Sequence, residues 1–297
     1  MCRVVDLQQA VLAKNEERAG TLRRELAARP TAMINLLSSP GSGKTELLEA
    51  ELTLAAARGT PVAALTADLA TENDARRLAR AGVPVKQVLT DGLCHLEADM
   101  LRAHLEGWLP RSTRLLFVEN VGNLVCPASY DLGESLRVVL ASVTEGEDKP
   151  LKYPTAFGLA HLVVVTKNDI AHAVGFDEDA FRENVRQVNP GVEVVLTSAR
   201  RGEGVGLLLE RATAAADGAP VHRPVMARAA AAPGHAEGHG HGHGGGHGHA
   251  DGHGHADGHG HADGHGHADG HGHADAGTAA GAYVQEHGTG VPAGSRP

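Results

Sequence analysis

The stretch Ala32-Met33-Ile34-Asn35-Leu36-Leu37-Ser38-Ser39-Pro40-Gly41-Ser42-Gly43-Lys44-Thr45 decides the fold. An apolar run leads into a glycine-rich turn, and the turn opens a helical pattern over Lys44–Arg58. Glycines let backbone N–H groups turn inward around phosphate oxygens, and the positive end of a helix dipole lies behind them. In that arrangement Gly41, Ser42 and Gly43 line the cradle, Lys44 reaches the β- and γ-phosphates, and the Thr45 hydroxyl binds Mg²⁺. Ser38 stands where the first glycine of the pattern usually sits. An ordinary Ser/Gly-rich turn is the alternative; a strand before it and a helix after it argue against that reading.

Outward from this stretch, apolar runs alternate with helical patterns. Strands are expected at 61–66, 85–89, 115–118, 136–143, 162–166 and 192–196, besides 32–37. Helices are expected at 4–28, 44–58, 73–81, 96–108, 178–188 and 204–215. Nearly all-apolar strands separated by helices predict an α/β fold, a mostly parallel sheet flanked by helices, of the P-loop NTPase kind. The expected organisation is an N-terminal helix over 1–30, a nucleotide-binding domain over 31–218 and a Pro/Ala-rich linker over 219–234. A histidine-rich tail then runs over 235–297.

That tail holds 15 of the 20 histidines and includes five copies of Gly-His-Gly-His-Ala-Asp between Gly246 and Asp275. It carries seven acidic side chains against one basic, so −6 of the net −9 charge lies there. Such a composition cannot offset backbone entropy by burial, and disorder without metal is expected. An almost neutral body with an acidic tail argues against nucleic-acid binding. No run approaches the length of a membrane span, and no leader is legible in Met1–Ala10, so a cytoplasmic location is expected. Three cysteines, Cys2, Cys94 and Cys126, are too few to staple a fold and suit free or metal-bound thiols.

Thr166-Lys167-Asn168-Asp169 sits where a guanine reader of the form Asn-Lys-x-Asp would follow a strand. Asp169 can accept from guanine N1–H and the 2-amino group, and Lys167 can pack its stem over the base. Thr166 replaces the Asn, which predicts a weakened or lost supporting hydrogen bond. Thr197-Ser198-Ala199 resembles a backbone clamp for guanine O6, so Ser198 and Ala199 join the base site and GTP is favoured over ATP. Glu119, with Gly122 three residues on, fits an acidic residue and a γ-phosphate-sensing glycine at a switch. Asp68, after the second strand, is placed to hold the Mg²⁺ shell or orient the attacking water. Both could instead be solvent-facing strand ends. No arginine finger is identifiable, which predicts slow turnover.

Adjacent Cys94 and His95 suit Zn²⁺ or Ni²⁺, and a lowered thiolate pKa at a helix start would help. Two ligands cannot complete a site, whereas a twofold dimer supplies four. Cys126, four residues after Gly122, could add a ligand that depends on the nucleotide. A buried thiol beside a capping histidine is the alternative. In the tail, His239, His241, His243, His247, His249, His253, His255, His259, His261, His265, His267, His271 and His273 are candidate ligands. Their binding is expected to fade below about pH 6.

Taken together, SSPGSGKT (38–45), DGLCHLEA (91–98), ENVGNLVCPA (119–128) and KPLKYP (149–154) closely resemble the hydrogenase nickel-incorporation GTPases, the HypB family of the SIMIBI class. The resemblance implies a dimerising P-loop GTPase that supplies Ni²⁺ for [NiFe]-hydrogenase maturation. Cys94, His95 and Cys126 match its interfacial metal site; Lys44, Thr45, Asp68 and Glu119 match its catalytic and Mg²⁺ positions. Lys149 and Lys152 match a loop that approaches the partner subunit's nucleotide. Implied partners are GTP and GDP, nickel, a second copy in a GTP-dependent homodimer, other hydrogenase maturation proteins and the hydrogenase large-subunit precursor. The chain departs from the family by keeping only Cys2 of an N-terminal cysteine motif, and by carrying its histidines after the GTPase domain. The alternatives are a nickel or zinc storage-buffering protein, a urease-type nickel accessory GTPase and an ATP-dependent small-molecule kinase.

Overall fold

The computed structural model describes residues 2–68, 73–90 and 92–227, without the side chains of residues 2–8 and 68. The expectations for the tail and its histidines, and for the Asp68 carboxylate, fall outside the described residues. Helix α1 (Cys2–Ala27) leads into β1 (Ala32–Ser38), α2 (Lys44–Ala57), β2 (Val62–Asp68), α3 (Asn73–Leu78) and β3 (Val85–Leu89). Next come α4 (Ala98–Leu105), β4 (Leu115–Glu119), β5 (Leu136–Ser142), α5 (Lys149–Lys152) and α6 (Pro154–Gly158). The chain continues through β6 (Leu162–Thr166), α7 (Ala171–Val174), α8 (Glu178–Val188), β7 (Glu193–Leu196) and α9 (Leu207–Ala216). All described strands form one parallel sheet in the order β3-β2-β4-β1-β5-β6-β7.

Two-residue periodicity in the strands divides the core between the two faces of the sheet. Ile34 and Leu36 pack with Leu47, Leu48 and Leu52 of α2 and Leu208 and Leu209 of α9. Met33, Leu65 and Val118 point the other way, against Leu22 and Leu26 of α1 and Leu101 and Leu105 of α4. Farther along that sheet, Leu37, Val139 and Val163 meet Phe157 of α6 and Phe181 of α8. Each fully buried leucine contributes about 2 kcal/mol. Because β1 lies between β4 and β5, successive crossovers diverge at its C-terminal end and leave a crevice there.

The elements agree with the expected pattern except at some ends. Helix α4 is shorter than 96–108, since Gly107 turns left-handed at φ 69. Helix α9 starts only at Leu207. Gly204 before it is left-handed and so close to the Leu196 carbonyl that a Cβ would lie 2.3 Å from the oxygen. Short helices α5 and α6 escaped the sequence reading because Pro150 and Pro154 look like breakers, yet both stand at helix starts, where a missing N–H is harmless.

At the other end of the sheet His161 closes the β5–β6 pair. Its Nδ1 accepts the Arg137 N–H at 3.0 Å, and its own N–H donates to the Arg137 carbonyl at 2.9 Å. Burial, then the Arg137 charge, holds its pKa down to about 4 from the usual 6.5. The folded state therefore binds fewer protons than the unfolded chain between those values. Stability is present above about pH 6.5 and is lost as pH falls towards 4. Urea unfolding at pH 7 and pH 4.5 should show a pH-dependent loss smaller by about 2 kcal/mol in His161→Gln than in wild type. Equal losses in the two proteins would show that His161 does not titrate this way.

Candidate functional site

Strand β1 delivers the chain to the crevice, and left-handed glycines shape the turn into α2: Gly41 has φ 72, and Gly43, the residue before α2, has φ 89. The Lys44 ammonium donates to Ser38 Oγ at 2.9 Å. Ser38, the departure from the usual glycine, is fully buried and small enough to leave the turn intact. Thr45 Oγ1 donates to Glu119 Oε1 at 2.6 Å, which joins the start of α2 to the end of β4. Glu119 is 3% exposed, and its Oε2 and the nearby Ser42 Oγ have no hydrogen-bond partner among the described residues. Burial pushes the Glu119 carboxyl up, while the Lys44 charge and the Thr45 hydroxyl partly offset this. A buried carboxylate and hydroxyl with spare oxygen capacity fit a hard divalent cation.

These groups border a cavity of about 370 Å³ that also takes in Gly122. Gly122 packs against the phosphate loop; a Cβ there would lie 3.2 Å from Pro40 Cα. Asp68 ends β2 opposite Leu89 of β3, at the same edge of the sheet. The sequence reading missed two residues of α3, Asp74 and Arg77, which also line the cavity. Arg77 is held by Glu46 and Glu49 of α2. Only an i, i+3 polar spacing in α3 hinted at them.

A second cavity of about 260 Å³ adjoins the first at Gly43 and Glu46 and is lined by Thr166, Lys167, Asp169, Ile170, Thr197, Ala199 and Arg200. Ser198 Oγ donates to Asp169 Oδ1 at 2.7 Å and holds that carboxyl below its ordinary range, so it stays ionised. Ser198 thus backs the carboxylate, and Ala199 lines the pocket. Lys167 takes the left-handed conformation, φ 59, and its ammonium donates to the Gly41 carbonyl at 2.7 Å. Thr166, the departure from the expected Asn, ties this strand end to the phosphate loop: its Oγ1 donates to the Ser42 carbonyl at 2.5 Å. Lys149 is 8% exposed and donates to Ser39 Oγ at 2.6 Å in its own phosphate loop, with Glu145 as ion-pair partner. Lys152 pairs with Asp148 at the surface.

The thiols and His95 gather on the side of the crevice beyond β4. Cys94 and Cys126 are both half-buried. Cys94 Sγ lies 3.6 Å from His95 Nδ1, and His95 stacks on Tyr130 with ring centroids 3.9 Å apart. His95 Nε2 is buried without a hydrogen-bond partner among the described residues, and burial lowers its pKa, leaving a neutral imidazole with a spare nitrogen. No cluster of three or more His, Cys, Asp or Glu side chains poised around one ion occurs among the described residues. Helix α4 begins at Ala98, two residues after the expected start, and the neighbouring Cys126 thiol, then burial, pushes the Cys94 pKa up, so the lowering that would help metal binding has no support here. Tyr130 was not anticipated, since nothing in its local sequence marks it.

One continuous segment joins these places. Asn120 anchors it to β1 through its N–H to the Leu36 carbonyl at 3.1 Å and its amide to Asn35 Oδ1 at 3.3 Å. Arg137 of β5 holds its far end, donating to the carbonyls of Ala128 at 2.9 Å and Tyr130 at 3.0 Å. Glu134 pairs with that guanidinium at 2.6 Å; burial opposes its ionisation, but the Arg137 charge prevails and sets its pKa at about 2. Glu119, Gly122, Cys126 and Tyr130 thus lie along one braced loop.

Residues 32–196 match a family model described as CobW/HypB/UreG, nucleotide-binding domain. The hydrogenase maturation factor HypB of Escherichia coli (strain K12) is 46% identical over 204 residues, covering 68% of this chain and 70% of that protein. HypB of Azotobacter vinelandii is 45% identical, with 69% and 67% covered. Among solved structures, HypB from Helicobacter pylori in complex with nickel superposes with a TM-score of 0.62 at 37% identity, covering 67% of this chain and 95% of that one. HypB from Archaeoglobus fulgidus gives 0.64 at 33% identity, with 69% and 100% covered. The family match starts with the first residue of β1 and ends with the last of β7, and the chain belongs to the CobW/HypB/UreG family of P-loop GTPases, in its HypB branch.

Proposed function

We propose that this protein is a GTP-hydrolysing nickel metallochaperone that delivers Ni²⁺ for [NiFe]-hydrogenase maturation. The observation that carries the proposal is the single loop that begins at Glu119, bonded to Thr45, and ends at Tyr130, stacked on His95. A change of the bound phosphates reaches the thiols through it. Lys44 neutralises β- and γ-phosphate charge, the backbone of Gly41–Lys44 cradles the phosphates, and Asp169, Lys167 and Ala199 receive guanine. Thr45 Oγ1 and the Glu119 side of the crevice, with Asp68, hold Mg²⁺, which when bound draws off charge developing on the transferred phosphoryl group. Glu119 is kept close to Thr45 by their hydrogen bond, and Gly122 senses the γ-phosphate beside Pro40.

Nickel is the cargo. Cys94 and His95 supply two ligands per chain, so two chains related by a twofold axis complete a four-coordinate site. Leu89, Leu93 and Val125 stand exposed around these ligands, which supports a second copy as the cover of this face. GTP favours the dimer and tight nickel binding; hydrolysis relaxes Gly122, shifts Cys126 and releases the ion to other maturation proteins and the large-subunit precursor. The setting is the cytoplasm, and no described helix is long and apolar enough to cross a membrane. In this reading the histidines of residues 235–297 store nickel, or zinc when it competes, and the body delivers it.

Ni²⁺ titrated into the full chain with GDP and with a non-hydrolysable GTP analogue, followed by thiolate-to-nickel charge-transfer absorption, tests the switch. Binding should be roughly tenfold or more tighter with the analogue, a coupling of typical size, and the band should vanish in Cys94→Ala; equal affinities would defeat the proposal. For the base site, Thr166→Val should weaken GDP and GTP binding by about fivefold, the loss of one ordinary hydrogen bond. Thr166→Asn should restore it. Unchanged affinity in Thr166→Val would show that the bond to Ser42 does not hold the phosphate loop.

A further inference from the structure

Two loops carry the metal ligands: residues 90–97, with Cys94 and His95, and residues 120–135, with Cys126 and Tyr130. Helix α1 packs against the feet of both. Asn15 is 4% exposed and uses both ends of its side-chain amide there. Its Oδ1 accepts the N–H of Ala98 at 3.0 Å, and its Nδ2 donates to the carbonyl of Asp131 at 2.7 Å. Ala98 is the first residue of α4, three after His95; Asp131 directly follows Tyr130. One side-chain amide therefore ties the foot of the first ligand loop to the foot of the second.

The surrounding packing keeps that bridge in register. Arg23 of α1 donates to both carboxylate oxygens of Asp131 at 2.8 Å, and Arg18 pairs with Asp99 of α4 at 3.3 Å. Gly133, left-handed at φ +83, lies so near α1 that a Cβ would fall 2.5 Å from the Ala19 carbonyl oxygen. Above the bridge, His95 stacks on Tyr130 across the same gap. The N–H of Ala98 is one of the helix-start donors that lack an intrahelical partner, and Asn15 supplies the acceptor.

We infer that Asn15 is a positioning residue of the nickel site, setting the separation between the loop bearing Cys94 and His95 and the loop bearing Cys126. The inference rests on the nickel reading of these ligands. Groups that orient metal ligands without touching the ion typically change affinity by about 10- to 100-fold when altered. Asn15→Asp keeps the volume and the acceptor for Ala98 but sets a second acceptor against the Asp131 carbonyl. Arg23→Ala removes only the surface fork and leaves the amide bridge in place.

The test titrates Ni²⁺ into the full-length protein and its variants with the GTP analogue bound, reading thiolate-to-nickel charge transfer, to which the tail's imidazoles do not contribute. Asn15→Asp should weaken this titration by about tenfold or more, with the KM for GTP unchanged; Arg23→Ala should weaken it less, in the same direction. A band that survives Cys94→Ala would overturn the nickel reading itself. A Cys94-dependent band with wild-type affinity in folded Asn15→Asp would overturn the role of Asn15 alone. If Asn15→Asp does not fold, wild-type affinity in folded Asn15→Ala, which lacks both bonds of the bridge, overturns it instead.

Discussion

The hydrogen bond from Thr45 to Glu119 is the constraint on which the rest depends. It spans the gap between the two strands that flank the crevice, β1 through its phosphate loop and β4 through its last residue. Glu119 is buried against the Lys44 charge, and burial raises its pKa. Such a carboxyl is costly to leave without a cation, so the site is arranged around charge that a nucleotide and its metal ion bring. A loop that starts at this carboxylate cannot ignore what occupies the cradle. The same loop ends, eleven residues later, against the imidazole of His95.

Parallel-sheet architecture makes this coupling short. With β4 next to β1 and β2 beyond it, the C-terminal ends of three neighbouring strands carry Asp68, Glu119 and the phosphate loop. The residues proposed to receive guanine arrive from β6 and β7, two and three strands away on the other side, and reach back through Thr166 and Lys167 to the carbonyls of Ser42 and Gly41. Base and phosphate pockets are therefore mechanically one site. The loops with Cys94, His95 and Cys126, the proposed nickel ligands, are braced by Arg137 from β5 and by α1.

Legibility in the sequence followed contiguity. The strands were readable because each is an uninterrupted apolar run, and Gly41–Thr45 because a phosphate loop is built from neighbours. Cys94 and His95 were visible as an adjacent pair. Contacts between distant segments were not: the hydroxyl of Thr166 meets the carbonyl of Ser42 only because β6 ends beside the phosphate loop. Arg77 enters the phosphate cavity through the placement of α3. Asn15 reads as one more polar residue in an amphipathic helix until Ala98 and Asp131 are found at its two ends. A helix start close enough to favour the Cys94 thiolate was not realised, since α4 starts at Ala98, two residues later than expected.

Linkage makes the central claim measurable from the nucleotide side. If the phosphates govern how tightly the paired thiols hold nickel, nickel must govern the affinity for the GTP analogue over GDP by the same factor. The direct measurement is the ratio of those two nucleotide affinities, with and without Ni²⁺, in wild type and in Cys94→Ala. The account predicts that nickel raises the ratio in wild type and leaves it unmoved in Cys94→Ala; a ratio indifferent to nickel in wild type would contradict it.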